Sequence, residues 1–277
     1  MGEKQYETEW EFSFDKIGDK IRGAVGSLDF DEEVKFASFS EAIDDAVAAK
    51  INLHFSVGEI TIKALGESDN LLEADVSYLG EIDFEVAGDT DKTVTLRQKK
   101  HKSFFGNLKG LRNDDNNKLH WDVRLSKDVP INLNVHGGVG EIQLDLQELQ
   151  LSNLKLHGGV GEFRVNLPES QTPYAVHING GVGEVAVNAP ENTTVDIHVK
   201  GGVGEVRVAL PEGVAARAMV KSGIGDVDMP KSMEKISGGR VFLGVKGKWE
   251  TNGFDEAENK VTIRYKGGIG SFEVVDA

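Results

Sequence analysis

The chain of 277 residues contains no cysteine. Disulfides, thiol catalysis and Cys-ligated zinc are excluded, although this alone does not fix the compartment. Positive charge is in deficit: the formal net charge is −15, which argues against a general nucleic-acid binder. No apolar run reaches the 18 residues of a transmembrane helix. The first residues, MGEKQYETEWEFSFDK, lack the apolar stretch of a secretory signal, and Tyr6 stands where a myristoylation pattern needs Ser or Thr. The expectation is a cytoplasmic protein, associated with a membrane through a partner or by peripheral contact. Catalytic motifs are also missing. No G-K-[ST] follows any GGVG, the glycines lead into strands rather than helices, and neither G-x-S-x-G nor H-E-x-x-H occurs. No enzymatic activity and no cofactor are expected.

Proline (6) and aromatic residues (7%) are sparse, but glycine is abundant at 33 residues. The glycines concentrate in a repeat: HGGVGE at 136–141 and 157–162, NGGVGE at 179–184, KGGVGE at 200–205, KSGIGD at 221–226 and KGGIGS at 266–271. The first five copies start 21, 22, 21 and 21 residues apart, and the last gap is 45, about two units. SVGEI at 56–60 and LGEI at 79–82 are worn copies. A fixed period in this range marks a repeat architecture whose units bury their apolar sides on one another. The calcium-binding nonapeptide is excluded, because its acid falls where this chain has Val206 and its period is nine.

Within a unit the apolar residues alternate: Val206, Val208 and Leu210 against Glu205, Arg207 and Ala209. Each unit is therefore two short strands and two turns. Stacked one coil apart, the units align Ile142, Phe163, Val185, Val206 and Val227 in one inward ladder. Leu144, Val165, Val187, Val208 and Met229 form a second, and Val135, Leu156, Ile178, Val199 and Val220 a third. The predicted fold is all-β, a stacked-strand, solenoid-like body with repeats of about 21 residues. An antiparallel meander or sandwich is the alternative, because a two-strand unit is also a hairpin. The glycine pairs sit where the chain turns sharply, at positive φ and with no side chain to obstruct the turn above.

Residues 1–50 form an acidic lead-in, and 51–277 a single elongated β-repeat domain. Trp10, Phe14, Ile17, Ile21 and Val25 trace one face of an amphipathic helix that would cap the stack, self-associate or touch a membrane. SEAIDDAVAAK at 40–50 reads as a second short helix capped by Ser40. RQKKHKSFFGNLKGLRNDDNNK at 97–118 interrupts the repeat as a basic loop. Lys99, Lys100, Lys102, Phe104, Phe105, Lys109 and Arg112 are its candidate partner-binding residues, since apolar pairs on long loops mark contact sites.

Glu141, Glu162, Glu184, Glu205 and Asp226 align as an acid ladder, extended by Glu59 and Glu81 in the worn copies. Like charges at that spacing repel by about 1 kcal/mol per pair in water. Compensation is expected from Arg164 and Arg207, and from the residues before the glycine pairs: His136, His157, Asn179, Lys200, Lys221 and Lys266. A mixed-charge solvent face explains the ladder better than a row of divalent-cation sites. His136 stacks on His157 and His177 on His198, again without a recurring third ligand.

FSVGEITI at 55–62, NLLEADVSYLGE at 70–81, TVTLRQ at 93–98, the stretch from LHWDVRLSKDVP to EFRVNLP at 119–168, and NKVTIRYKGGIGSFEV at 259–274 together resemble the toast-rack family of bacteria. That family includes LiaF-like regulators of cell-envelope stress and a related adhesin-like domain. The resemblance spans about 50–275 and implies a non-enzymatic binding or scaffold module, acting through protein contacts as an envelope-stress regulator. An adhesin-like or self-assembling structural protein is the alternative, and a metal-dependent use of the acid ladder comes last. Basic loop 97–118 maps onto no family motif.

Overall fold

The computed structural model describes residues 34–99, 119–242 and 244–277. The proposed lead-in helix around Trp10–Val25 and most of the basic loop lie outside these residues. Twenty-one strands follow one another among the described residues. They begin with β1 (Lys35–Ala42), β2 (Ala48–His54), β3 (Val57–Ala64), β4 (Asn70–Tyr78), β5 (Ile82–Ala87), β6 (Asp91–Gln98) and β7 (His120–Leu125). The regular coils contain β8 (Ile131–His136), β9 (Val139–Asp145), β10 (Leu151–His157), β11 (Val160–Asn166), β12 (Tyr174–Asn179), β13 (Val182–Asn188), β14 (Val195–Lys200) and β15 (Val203–Leu210). The last are β16 (Ala216–Ser222), β17 (Val227–Asp228), β18 (Met233–Val241), β19 (Gly244–Thr251), β20 (Val261–Lys266) and β21 (Phe272–Asp276). No helix occurs among the described residues. The helix expected at 40–50 is instead the end of β1, a turn with Asp44 at φ 47°, and the start of β2. Ladder pairing of both flanking segments overrides the local helical pattern there.

Each coil gives one strand to a ten-stranded sheet A and one to an eleven-stranded sheet B. Coil-to-coil pairing is parallel and in register, Glu162 beside Glu184 and His157 beside Asn179, which decides for the solenoid over the meander. The core lies between the sheets. Ile51, Leu133, Leu154, Val176, Ile197 and Ile263 are successive neighbours and fully buried in sheet B. Ile60, Ile142, Phe163, Val185, Val206 and Phe272 face them from sheet A. Outward amide side chains form their own ladders: Asn134 donates to Asn52 at 3.0 Å, and Asn188 to Asn166 at 2.7 Å.

The stacking order departs from chain order twice. At one end the coil 48–64 lies directly on 131–145, so His54 meets His136 and Glu59 meets Glu141. At the other, the C-terminal coil 261–276 slides between 195–210 and 216–228. Tyr265 therefore separates Val199 from Val220, and Phe272 separates Val206 from Val227, where the repeat alone would join them. The two-residue β17 ends before Met229, which is only partly buried against the core. Antiparallel strands finish most edges: β1–β4 on sheet A, β5 and the β18–β19 hairpin on sheet B. Phe39 of β1 and Phe84 of β5 approach with ring centroids 5.1 Å apart and close the N-terminal end between the sheets. Buried Lys92 ties β6 to the β1–β2 turn through Glu41 at 2.8 Å and Asp44 at 2.6 Å.

The glycines divide the work differently from the expectation. Positive φ belongs to the last glycine of each GGVG, as in Gly161 (φ 149°) and Gly183 (φ 136°). The second glycine of the pair is required by proximity: a Cβ on Gly181 would lie 2.0 Å from the carbonyl oxygen of Gly159. Gly183 carries both constraints, since its Cβ would lie 1.9 Å from Gly161 O. Gly183→Ala is expected to cost about 3 kcal/mol or more, combining backbone strain with overlap. Gly213→Ala, at φ 79° but with open space around it, should cost only about 1–2 kcal/mol. Urea unfolding of both variants measures the difference; equal losses would contradict the stacked-turn account.

Candidate functional site

Parallel in-register stacking turns each position of the repeat into a row. Outward positions of sheet B give a row running Arg97, His54, His136, His157, Asn179, Lys200, Lys266, Lys221, Lys246. Two residues earlier on the parallel strands, and two later on antiparallel β19, lies a second row that includes Lys155, His177, His198, Arg264 and Lys248. Within a strongly acidic chain, this face gathers cations and imidazoles. Its acids are outnumbered: Asp196 pairs with Arg264 and lies 3.2 Å from His198, Glu250 pairs with Lys248 and with Arg217, Asp83 pairs with Lys99, and Glu85 and Glu234 lie on the two edge strands.

Sheet A has the opposite character. Glu59, Glu141, Glu162, Glu184 and Glu205 are successive neighbours, as expected for the acid ladder. Ser271 of the intercalated coil stands between Glu205 and Asp226: its carbonyl accepts from Val206 N at 3.0 Å, and the next residue, Phe272, donates its N–H to Asp226 O at 3.0 Å. Glu81 is not on this ladder; it lies at the sheet B edge and pairs with Lys99 at 3.1 Å. The middle of the ladder is less exposed than a solvent face, with Glu141 at 9% exposure, whereas Glu59 and Asp226 at its ends are exposed. Arg164 pairs with Glu162 at 2.8 Å as expected, but Arg207 reaches across to Glu273 at 3.7 Å. Among the described residues no group of three His or acidic side chains converges to hold a metal.

Between the two faces the chain crosses one long edge of the body, and the motif x-G-G-V-G-E is that crossing. It carries three parallel rows: the His/Lys row of sheet B, an apolar row, and the acid row of sheet A. The apolar row is Val57, Val139, Val160, Val182, Val203, Ile269, Ile224. Val57 is buried, but Val182, Val203, Ile269 and Ile224 are 45, 44, 54 and 57% exposed. Turn carbonyls join the coils beneath it, Val182 N to Gly159 O at 2.9 Å and Val203 N to Gly181 O at 3.0 Å. No ion pair among the described residues involves Lys200, Lys266, Lys221, Glu205 or Asp226. Compensation of the acid row by the residues before the glycine pairs is therefore not found at these coils.

The predicted histidine stacks are present, His136 on His157 at 4.7 Å and His177 near His198 at 4.8 Å. His54 extends the first to three rings, 4.5 Å from His136 with the two ring planes nearly parallel. The repeat period did not reveal it, but HFSVGE at 54–59 carries the signal, being HGGVGE with two substitutions. Of the proposed partner-binding residues only Lys99 is described; it pairs with Glu81 and, at 2.9 Å, with Asp83. Lys100, Lys102, Phe104, Phe105, Lys109 and Arg112 lie outside the described residues. They follow β6 in sequence, whose Arg97 starts the cation row.

A concavity of about 190 Å³ between Glu234, Glu250, Phe254 and Glu256 is open and acidic, smaller than the roughly 300–1,000 Å³ of small-molecule sites.

The fold and the rows define a two-sheet β-solenoid with charge-sorted faces. The chain belongs to the toast-rack family: the sequence model of the N-terminal domain of toast_rack, DUF2154, matches residues 28–188. The remaining coils continue the same stack. A candidate cell adhesion protein from Clostridium sporogenes has a similar fold, with TM-score 0.54 and 20% identity over 88% of this chain and 100% of that one. A candidate adhesin from Bacteroides fragilis shares 14% identity over 87% of this chain and 97% of its own, with TM-score 0.32. No functionally curated protein matches the chain.

Burial, reinforced for His54 by Arg97 and for His136 by His54 and His157, holds these imidazoles below their usual pKa. Burial and the neighbouring His198 do the same to His177. The unfolded chain then binds more protons than the folded one just below pH 6.5, so stability is full above that value and falls as pH drops through it. The melting temperature should fall by several degrees between pH 7.5 and 5.5. His136→Asn should reduce that fall, because it removes the central ring of the three; an undiminished fall would assign the pH dependence elsewhere.

Proposed function

We propose that the protein is a non-enzymatic binding module whose basic sheet B face docks an acidic protein surface. The observation that carries this reading is the sorting of cations and histidines onto one flat face of a chain with net charge −15. An extended, mostly parallel sheet offers contact area and charge rather than a pocket, and complementary charge steers association and selects partners. Arg97 and Lys99 at the end of β6 belong to this side of the body, and the basic stretch that carries Phe104 and Phe105 follows them in sequence. The envelope-stress role implied for the family is one setting for such a contact. The naming of the Clostridium sporogenes neighbour as a candidate cell adhesion protein is compatible with adhesion as another, since both work through surface contact.

Lys50 and Lys155 are exposed on sheet B and take part in no ion pair among the described residues. On an immobilised polyglutamate surface the full chain should be retained at low salt and released as screening increases. Lys50→Glu with Lys155→Glu should weaken retention about tenfold or more, with the melting temperature unchanged. Phe104→Ser with Phe105→Ser should weaken capture of a protein partner and leave polyglutamate retention intact. Wild-type protein that ignores the surface, or a double reversal that binds as well, would overturn the reading.

A further inference from the structure

The glycine-turn edge has a property that neither flat face has: it is complementary to itself. Across the edge the rows run cation, apolar, acid. The apolar row continues through seven coils, a strip of about 29 Å at the usual strand spacing of about 4.8 Å; the row beside it is His or Asn up to Asn179 and lysine at Lys200, Lys266 and Lys221, and Ser271 interrupts the acid row. At the C-terminal half the strip is most exposed, with Val203, Ile269 and Ile224 flanked by Lys200 and Lys221 on one side and Glu205 and Asp226 on the other.

We propose that two copies of this chain associate through this edge, related by a two-fold axis parallel to the stack. Such an axis exchanges left and right while keeping the stacking direction. It lays apolar row on apolar row and sets the cation row of each copy against the acid row of the other. Lys200 then faces the partner copy's Glu205 and Lys221 its Asp226, each pair formed twice. A two-fold perpendicular to the stack would instead oppose like rows, and its repulsion disfavours it. Solitary exposed valines are ordinary on a surface, but an unbroken row of β-branched residues framed by opposite charges marks a contact. The strip is narrow and falls at or below the roughly 1,000 Å² of specific interfaces, so the pair is reversible and micromolar or weaker.

The test is the mass of the full chain in solution, followed by sedimentation velocity across a concentration series. Wild type should pass from monomer to dimer and no further. Lys200→Glu with Lys221→Glu makes both flanks acidic, and Glu205→Lys with Asp226→Lys makes both basic. Each double variant alone should remain monomeric, with an association constant reduced at least tenfold. An equimolar mixture of the two should recover the dimer, because each acidic flank then meets a basic one; recovery also shows that neither variant is misfolded. Ile224→Lys with Val203→Lys should abolish association in both settings.

A wild type that stays monomeric at the highest concentration overturns the proposal. So does a dimer that both double variants retain, or one lost only on removal of residues 1–33, which would assign association to the lead-in. A mass that climbs past the dimer would indicate open stacking of acidic sheet A on basic sheet B, and would likewise exclude the closed pair. Lys50→Glu with Lys155→Glu lies away from the strip and should leave the dimer intact, so this outcome is separable from the sheet B contact.

Discussion

The body depends on one close approach: the carbonyl oxygen of each glycine turn occupies the space where a Cβ of the next turn would be. Gly204 stands over Gly183 in this way, Gly183 over Gly161 and Gly161 over Gly140, with a Cβ–oxygen separation under 2 Å at each step. Because no side chain fits there, the coils settle at the hydrogen-bonding distance of a parallel sheet, and the turn amides bond the carbonyls of the coil beside them. Register follows without further specification. A coil displaced by one residue would lose the glycine match and turn its apolar set outward at once.

Perfect register has an electrostatic consequence. Identical positions become neighbours, so charge cannot be scattered and is sorted into rows. The asparagine ladders are favourable under this rule, each amide donating to the next. Carboxylate and imidazole rows are not, and the chain responds locally. Arg164 joins Glu162, His120 approaches Glu59, and burial holds the imidazoles of His54 and His136 below their usual pKa. Opposite charge accumulates on the two outer faces, leaving the glycine edge as the boundary between them. The same geometry that makes the stack regular therefore gives it polarity across its thickness.

The ends are managed by different means. Parallel coils leave open ladders, and the chain covers them with antiparallel strands, an aromatic contact between Phe39 and Phe84, and the hairpin β18–β19. Trp249 of that hairpin is buried against β16 and carries Lys235 over its ring. Inserting the C-terminal coil one place inward places Phe272 and Tyr265 side by side, ring centroids 4.3 Å apart, within the stack rather than at its exposed end. Sheet A nevertheless finishes on the two-residue β17, a short edge that offers little to a further strand.

Local spacing alone carried a good deal of this. Alternation at 206–210 specifies strands, and the recurrence of GGVGE at 21 residues specifies stacked coils, because only a glycine turn repeated at coil length can superpose. The inward ladders through Val206 and Val208, the acid row from Glu141 to Glu205 and two of the histidine contacts follow from that period. Periodicity is blind to coils joined through insertions: His54 and Glu59 meet His136 and Glu141 across a sequence separation of 82, and the coil 261–276 enters the stack out of chain order. Those placements depend on which exposed ladder each late strand can complete and which aromatic residues it can bury. The helical pattern at 40–50 yielded for the same reason, since partner strands satisfied its backbone. Which charges share a face, and the edge on which cation, apolar and acid rows run side by side, were decided by tertiary structure, where residues far apart in the chain stand one strand spacing apart.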